Sequence, residues 1–130
     1  MAKYPKGSEW RIWDLHIHTP GTAKNDQYGN DEAAWEAYIA KLEENTDVAV
    51  LGITDYFSIE NYLFLKQKQA MGRLLGKTIL PNVELRITPV TRQETPINIH
   101  VIFNPELSID LIEREFIGCL KFSYGGSEYS

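Results

Sequence analysis

The sequence contains a single cysteine, Cys119, among its 130 residues. One thiol cannot form an internal disulfide, and it cannot build the multi-thiolate clusters that hold structural zinc. Any metal chemistry in this chain therefore has to use histidine and carboxylate side chains.

Long apolar runs and a surplus of basic residues are also missing. No run of ~18 apolar residues could span a bilayer, and residues 1–10 lack the apolar segment of a signal peptide, so we expect a cytoplasmic protein without a membrane span. The formal net charge is −5, which provides no overall positive field to attract nucleic acid. Local phosphate contacts remain open, particularly where a bound metal adds positive charge.

Two histidines, His16 and His18, close the β-favouring stretch Trp13-Asp14-Leu15-His16-Ile17-His18-Thr19-Pro20. On a strand they share one face, because successive side chains alternate between the two faces. Two neighbouring imidazoles on a rigid strand are a typical start of a divalent-metal site. The pattern alone also fits a histidine in a polar pocket, since so short a motif often arises by chance.

Hydrophobic patterning predicts the order β-loop-α-β-α-β-β-α within one domain. We expect strands over 10–18, 47–54, 78–87 and 97–103, and helices over 31–45, 58–73 and from 108 to about 124, after a flexible lead-in at 1–9. Such alternation favours an α/β fold with about four mainly parallel strands and three helices. The chain is short for a closed α/β barrel, which takes ~200 residues or more, so an open portion of a barrel also fits.

Helix starts are marked by Asp31, Ser58 and Ser108, whose side chains can accept hydrogen bonds from the first turn. Trp35 and Tyr38 fall in the apolar stripe of the first helix, which favours core packing over ligand stacking.

Further chemistry-bearing residues lie at or near the ends of the other predicted strands: Asp55, Glu84 and His100. Because the carboxyl ends of parallel strands line one face, we expect these side chains to converge with the histidine pair on a metal centre. Each has an ordinary alternative: Asp55 as a turn cap, Glu84 as a surface charge and His100 as a core histidine. Arg86 and Asn98 are candidate phosphate contacts, although both residue types are common on surfaces.

Four ordered motifs resemble those of a known family. They look like the first motifs of the PHP (polymerase and histidinol phosphatase) domain, over about residues 10–103. In chain order they are Trp13 to Thr19, Gly52-Ile53-Thr54-Asp55, Pro81-Asn82-Val83-Glu84 and Ile99-His100. The flanking sequence is similar to the amino-terminal PHP region of TrlF-like proteins. It reads Gly-Ser-Glu-Trp before the first motif and Thr-Asp-Tyr-Phe-Ser-Ile after the second strand. In those proteins a large ATPase of the SMC or ABC type follows.

The resemblance implies a distorted (β/α)7 PHP-type barrel, of which residues 10–130 would be an incomplete amino-terminal portion. It implies about two divalent metal ions (Mn, Zn or Fe) and hydrolysis of phosphoester bonds. Carried over by position, His16 and His18 would hold the first metal, Glu84 would bridge and His100 would hold the second. We assign Asp55 and Arg86 as catalytic candidates.

The implied partners are DNA or another phosphoester substrate and an SMC- or ABC-type ATPase region in the same or a partner chain. An open sheet edge could also pair with a second copy. DNA repair or anti-phage defence is the context that such a pairing implies.

Two departures from the family pattern leave a second function open. Tyr56 stands where the family commonly has a histidine for a third metal, and no histidine follows His100, so the late Asp-x-His motif is absent. The leading expectation is a metal-dependent phosphoesterase acting on nucleic-acid phosphodiesters. The alternative is a catalytically degenerate scaffold or regulatory module for an ATPase.

Overall fold

A computed structural model describes residues 10–21, 29–87, 92–93, 95–124 and 127–129. The predicted lead-in at 1–9, residues 22–28 of the loop after the first strand, and the glycines at 125–126 lie outside the described residues.

Within the described part of the chain, four strands form one sheet in the order β1-β2-β3-β4. They are β1 (Ile12–His18), β2 (Val48–Tyr56), β3 (Thr78–Ile87) and β4 (Ile97–Ile102). β1, β2 and β3 are parallel to one another, and β4 is antiparallel to β3. The sheet curls into an open half-barrel. This confirms the α/β class and a mainly parallel four-stranded sheet.

Three α-helices accompany the sheet: α1 (Glu32–Glu44), α2 (Glu60–Ala70) and α3 (Ile109–Glu115). α1 begins after Asp31, whose Oδ1 accepts a 2.7 Å hydrogen bond from the backbone N–H of Ala34. The side chain of Ser108 caps α3 in the same way. Both caps confirm the prediction from sequence.

The second helix differs at both ends from the prediction. The Ser58 hydroxyl does accept a hydrogen bond from the N–H of Glu60, but Ile59 is the N-cap residue and its side chain cannot cap. The helix ends at Ala70 rather than near 73, and Gly72 follows with a φ of +96°. A left-handed backbone conformation is typical of glycine just after a helix end.

The last helix was predicted too long. α3 ends at Glu115, a short 3-10 turn follows at Ile117–Cys119, and two further strands pair antiparallel, β5 (Phe122–Tyr124) and β6 (Ser127–Tyr129). Aromatic residues on either side of a Gly-Gly pair are typical of a β-hairpin. The helical spacing of apolar residues wrongly outweighed this signal.

One apolar core joins the helices to one face of the sheet. Trp35 and Tyr38 belong to it, at 8% and 7% exposed, which confirms their predicted packing role. From the strands, Ile53 of β2 and Val83 of β3 enter the same core. Because strand side chains alternate, the residues between them face the opposite, inner side of the curled sheet.

No helix among the described ranges has the length and apolar character needed to cross a membrane.

Candidate metal centre

An irregularity in β1 sets the position of the first two histidines. Asp14 pairs with Leu51 and Ile17 with Ile53, so β1 uses one residue more than β2 between these pairs. Such a bulge bends the strand locally and redirects its groups. Here the carbonyl oxygen of Leu15 lies against Gly52.

The bulged strand end brings the two imidazoles of β1 together. The Nε2 atoms of His16 and His18 lie 3.0 Å apart. At this distance either one ring donates a hydrogen bond to the other, or both lone pairs face a shared cation.

Glu84 of β3 lies beneath the histidines. Its Oε2 is 3.5 Å from Nε2 of His16 and 3.6 Å from Nε2 of His18, and its Oε1 is 3.9 Å from Nε2 of His100. All three histidines of the chain therefore turn an Nε2 atom towards one carboxylate. The structure brings together the four residues that the sequence predicted as metal ligands.

The Glu84 carboxylate is almost fully buried, at 1% exposed. The three histidine nitrogens are at or beyond the limit of a hydrogen bond to its oxygens, the Tyr56 hydroxyl is a neighbouring donor, and the buried Nδ1 of His18 has no partner among the described residues. Burying a carboxylate without hydrogen bonds or a counter-charge is costly. The site therefore fits a cation that would bind both the carboxylate and the imidazole nitrogens.

The donor atoms of His16, His18 and Glu84 all lie within 4.8 Å of one another, as a metal-ion site requires. Imidazole and carboxylate together suit zinc, iron and manganese. The His16 side chain is 52% exposed, so the cluster is open to solvent on that side and a small ion or substrate can reach it.

His100 is the fourth member of the cluster, on β4. Its ring centroid lies 4.4 Å from that of His16, and it pairs in register with Glu84 across the antiparallel strands. Its Nδ1 faces the side chain of Asn82, which is 1% exposed.

Tyr56 and Arg86 extend the cluster along the inner face. The Tyr56 ring stacks on His18 with centroids 5.7 Å apart, and the Arg86 guanidinium carbon lies 6.0 Å from the Tyr56 centroid. Burial raises the pKa of the Tyr56 hydroxyl, the charge of Glu84 and a hydrogen bond to its carboxylate raise it further, and the charge of Arg86 opposes these effects. Arg86 also donates a hydrogen bond from Nε to Asn98.

Asp55 lies on the other face of β2. Its Oδ1 accepts hydrogen bonds from Asn61 of α2 at 2.9 Å and from the Thr19 hydroxyl at 3.3 Å. It pairs in register with Val83, a core residue. These contacts give Asp55 a structural role in joining the end of β1 to α2, and its catalytic role stays a prediction.

Reasoning from sequence gave no role to Gly52 or Asn82. Asn82 is two residues before Glu84 on β3, so strand alternation already places it on the same face as the carboxylate. The need for glycine at position 52 follows from the β1 bulge, which has no signal in the sequence of β2.

Comparisons of this chain with protein-family models, with curated proteins and with solved structures give no match. The geometry of the chain's own side chains therefore provides the support for a metal centre.

Proposed function

We propose that this chain is the metal-binding part of a PHP-type phosphoesterase that hydrolyses phosphodiester bonds, with nucleic acid as the leading substrate class. The observation that carries the proposal is the buried Glu84 carboxylate, which three histidine nitrogens approach at 3.5–3.9 Å. A purely structural carboxylate at such a depth would need donors or a counter-charge. A bound metal ion would supply that counter-charge.

The roles of the residues follow from their positions. His16 and His18 would hold one ion with Oε2 of Glu84, and His100 would hold a second with Oε1. When bound, the two ions would lower the pKa of a water molecule and stabilise charge on the phosphoryl oxygens. Manganese, zinc and iron are the ions proposed, because the site offers imidazole and carboxylate donors.

Arg86 would contribute to substrate binding. It follows Glu84 by two residues on β3 and therefore shares its face, and its guanidinium lies beside Tyr56 at the edge of the cluster. An arginine forms paired hydrogen bonds with phosphate oxygens. A phosphate held there would lie next to the proposed ions, which supports a phosphoester over an uncharged substrate.

The open sheet supports a larger assembly as part of the proposal. β1 and β4 are the outer strands of the four-stranded order, and Ile97 and Ile99 on β4 are 45% and 39% exposed. Unpaired outer strands and exposed apolar side chains favour further packing. We propose that the remainder of a PHP-type barrel, linked to an ATPase that acts in DNA repair or anti-phage defence, packs there.

One observation favours the alternative function, a catalytically degenerate scaffold or regulatory module. Tyr56 stacks on His18 where the family commonly has a metal-binding histidine. Imidazole suits zinc, iron and similar ions, and a phenol at this position removes that donor. Such a site could bind metal and still lack hydrolytic activity.

The proposal is tested by metal analysis and hydrolysis assays on the same protein. After loading with Mn²⁺ or Zn²⁺ and desalting, we expect about two ions per chain and hydrolysis of bis(p-nitrophenyl) phosphate and of single-stranded DNA. His16→Ala should lower both metal content and rate. Lys41→Ala, on the exposed side of α1, is the control and should change neither.

The two candidate functions give different results. Metal bound without hydrolysis, in the chain alone and with an added ATPase partner, would favour the scaffold. Absence of bound metal under every loading condition would overturn the metal-centre proposal itself.

A further inference from the structure

We infer that Asn82 is a positioning residue that fixes the tautomer of His100, so that Nε2 of His100 carries the lone pair directed at Glu84. The inference rests on the proposed metal centre for its functional meaning. The tautomer itself is a property of the metal-free protein and can be measured separately.

The Asn82 amide nitrogen has two hydrogens to donate. Its Nδ2 is 2.7 Å from the carbonyl oxygen of Leu15 and 2.9 Å from the Thr54 hydroxyl oxygen. A backbone carbonyl only accepts, so the atom facing Leu15 has to be the nitrogen. Its two hydrogens are then used by Leu15 and Thr54.

The Thr54 hydroxyl oxygen accepts one of these hydrogens from Asn82. Its own hydrogen can be donated elsewhere, because Thr54 Oγ1 is 3.2 Å from the carbonyl oxygen of Gly52. Each hydrogen of the Asn82 amide and of the Thr54 hydroxyl therefore has an acceptor. The buried amide nitrogen has no hydrogen left for a further partner.

The contacts of His100 with Asn82 determine which ring nitrogen carries the proton. Its Nδ1 lies 3.2 Å from Nδ2 of Asn82 and 3.3 Å from Oδ1. Because Nδ2 has no hydrogen to spare, the compatible bond is donation from Nδ1–H of His100 to Oδ1 of Asn82. A neutral imidazole carries one proton, so Nε2 is left as the unprotonated nitrogen.

This tautomer is the one that a metal site needs. Nε2 of His100 is the atom facing Oε1 of Glu84, at 3.9 Å. Metal-binding histidines commonly donate their other ring N–H to a protein acceptor, which fixes the ring orientation. The same amide also binds the Leu15 carbonyl in the β1 bulge, so Asn82 links the His100 side of the site to the His16 and His18 side.

The direct test is ¹⁵N NMR of the histidine side chains in the metal-free 130-residue chain, at a pH where all three imidazoles are neutral. His100→Gln assigns the His100 signals. We expect Nδ1 of His100 to have the shift of a protonated, pyrrole-type nitrogen and Nε2 that of a pyridine-type nitrogen. A protonated Nε2, or averaged shifts from exchanging tautomers, would overturn the inference without any substitution of Asn82.

Two variants separate positioning from folding. Asn82→Asp retains an acceptor for Nδ1–H, so the tautomer should persist, although the Leu15 carbonyl loses its donor. Asn82→Leu removes the acceptor, and the His100 shifts should move towards averaged values. Asn45→Leu, at the exposed end of α1, is the control and should leave the His100 shifts unchanged.

Metal titration completes the test. Loss of such a partner typically weakens metal binding by about 10–100-fold, so Asn82→Leu should weaken Co²⁺ binding, followed by absorption, by that factor. Unchanged affinity would contradict the positioning role. If the tautomer is as stated and the wild-type chain binds no Co²⁺, Mn²⁺ or Zn²⁺, the proposed function fails while the structural assignment stands.

Discussion

A Cβ atom at Gly52 would lie 2.2 Å from the carbonyl oxygen of Leu15 on the neighbouring strand. Only glycine allows this approach, because no side chain fits between the two strands at that point. The contact holds the β1 bulge over β2, and the Leu15 carbonyl in turn accepts the hydrogen bond from Asn82. The position of His16 and His18 therefore depends on a residue that takes no part in binding.

Gly52→Ala should disrupt this relationship. The added methyl group would push β1 away, so we expect a loss of about 2 kcal/mol or more of unfolding free energy, as for other overpacked sites, and weaker metal binding. Chemical denaturation and Co²⁺ titration measure the two effects.

Gly72→Ala is the control: nothing lies within 4 Å of its Cβ position, although its φ is +96°. It should lower stability through backbone strain and leave the metal affinity unchanged. Equal metal affinity in the two variants would contradict the role of Gly52.

Glu84→Gln should affect stability and binding in opposite directions. In metal-free protein at pH 8, removing the charge of this buried carboxylate should raise the unfolding free energy by on the order of 1 kcal/mol. Wild-type protein at a metal concentration 100-fold above its Kd should gain about 2.7 kcal/mol, and the variant should gain little. Thermal denaturation with and without Mn²⁺ measures both quantities.

Glu106→Gln, an exposed carboxylate, is the matched control for charge removal and should change neither quantity. A Glu84→Gln protein that is less stable without metal and equally stabilised by Mn²⁺ would show that the carboxylate has an ordinary structural role.

Local rules predicted much of the fold from sequence. The continuous apolar run of β2 and the cap at Asp31 determine their elements through short-range physics, and both match the structure. The convergence of His16, His18 and Glu84 was also predictable, because the ends of neighbouring parallel strands meet at one face. His100 lies on an antiparallel strand and reaches the site through its register pairing with Glu84.

Other features depend on contacts between distant residues. The β1 bulge, the close approach at Gly52 and the amide bonds of Asn82 arise only when three strands are assembled, so periodicity along one strand cannot reveal them.

Asp55 was expected near the histidines because it lies at the end of its strand. Alternation from Thr54 instead places its side chain on the helix side of the sheet. The hairpin of β5 and β6 was missed because apolar spacing outweighed a turn signal.

Arg86→Gln should weaken phosphoester binding and leave metal binding intact. A charge-assisted hydrogen bond contributes about 1.5–3 kcal/mol, so we expect kcat/KM for a phosphodiester to fall by roughly 10–100-fold. Metal content measured on the same samples should equal that of the wild type. Arg114→Gln, an exposed arginine on α3, is the control and should retain kcat/KM. A fall in metal content with Arg86→Gln would instead assign the residue to the integrity of the site.

The attachment of α1 to the turn after α2 should give the protein an acid-sensitive stability. Arg73 donates hydrogen bonds of 3.0 Å from Nε and Nη2 to the two oxygens of Glu43, and the N–H of Leu74 donates to the same carboxylate at 2.8 Å. These bonds, first those from Arg73 and then that from Leu74, lower the pKa of Glu43. A carboxylate with a lowered pKa in the folded state stabilises the protein above its unfolded pKa, and this contribution is lost as the pH falls through the folded value.

Glu43→Gln should therefore reduce the steepness of the stability loss below the ordinary glutamate pKa of 4.5. The effect is modest, because the pair is partly exposed to solvent and screened by salt. Urea denaturation between pH 3 and pH 7 at low ionic strength provides the measurement. Glu44→Gln, the exposed neighbour, should keep the wild-type slope. A Glu43→Gln slope equal to that of Glu44→Gln would mean that the Arg73 contact forms equally well in the unfolded chain or contributes nothing to folding.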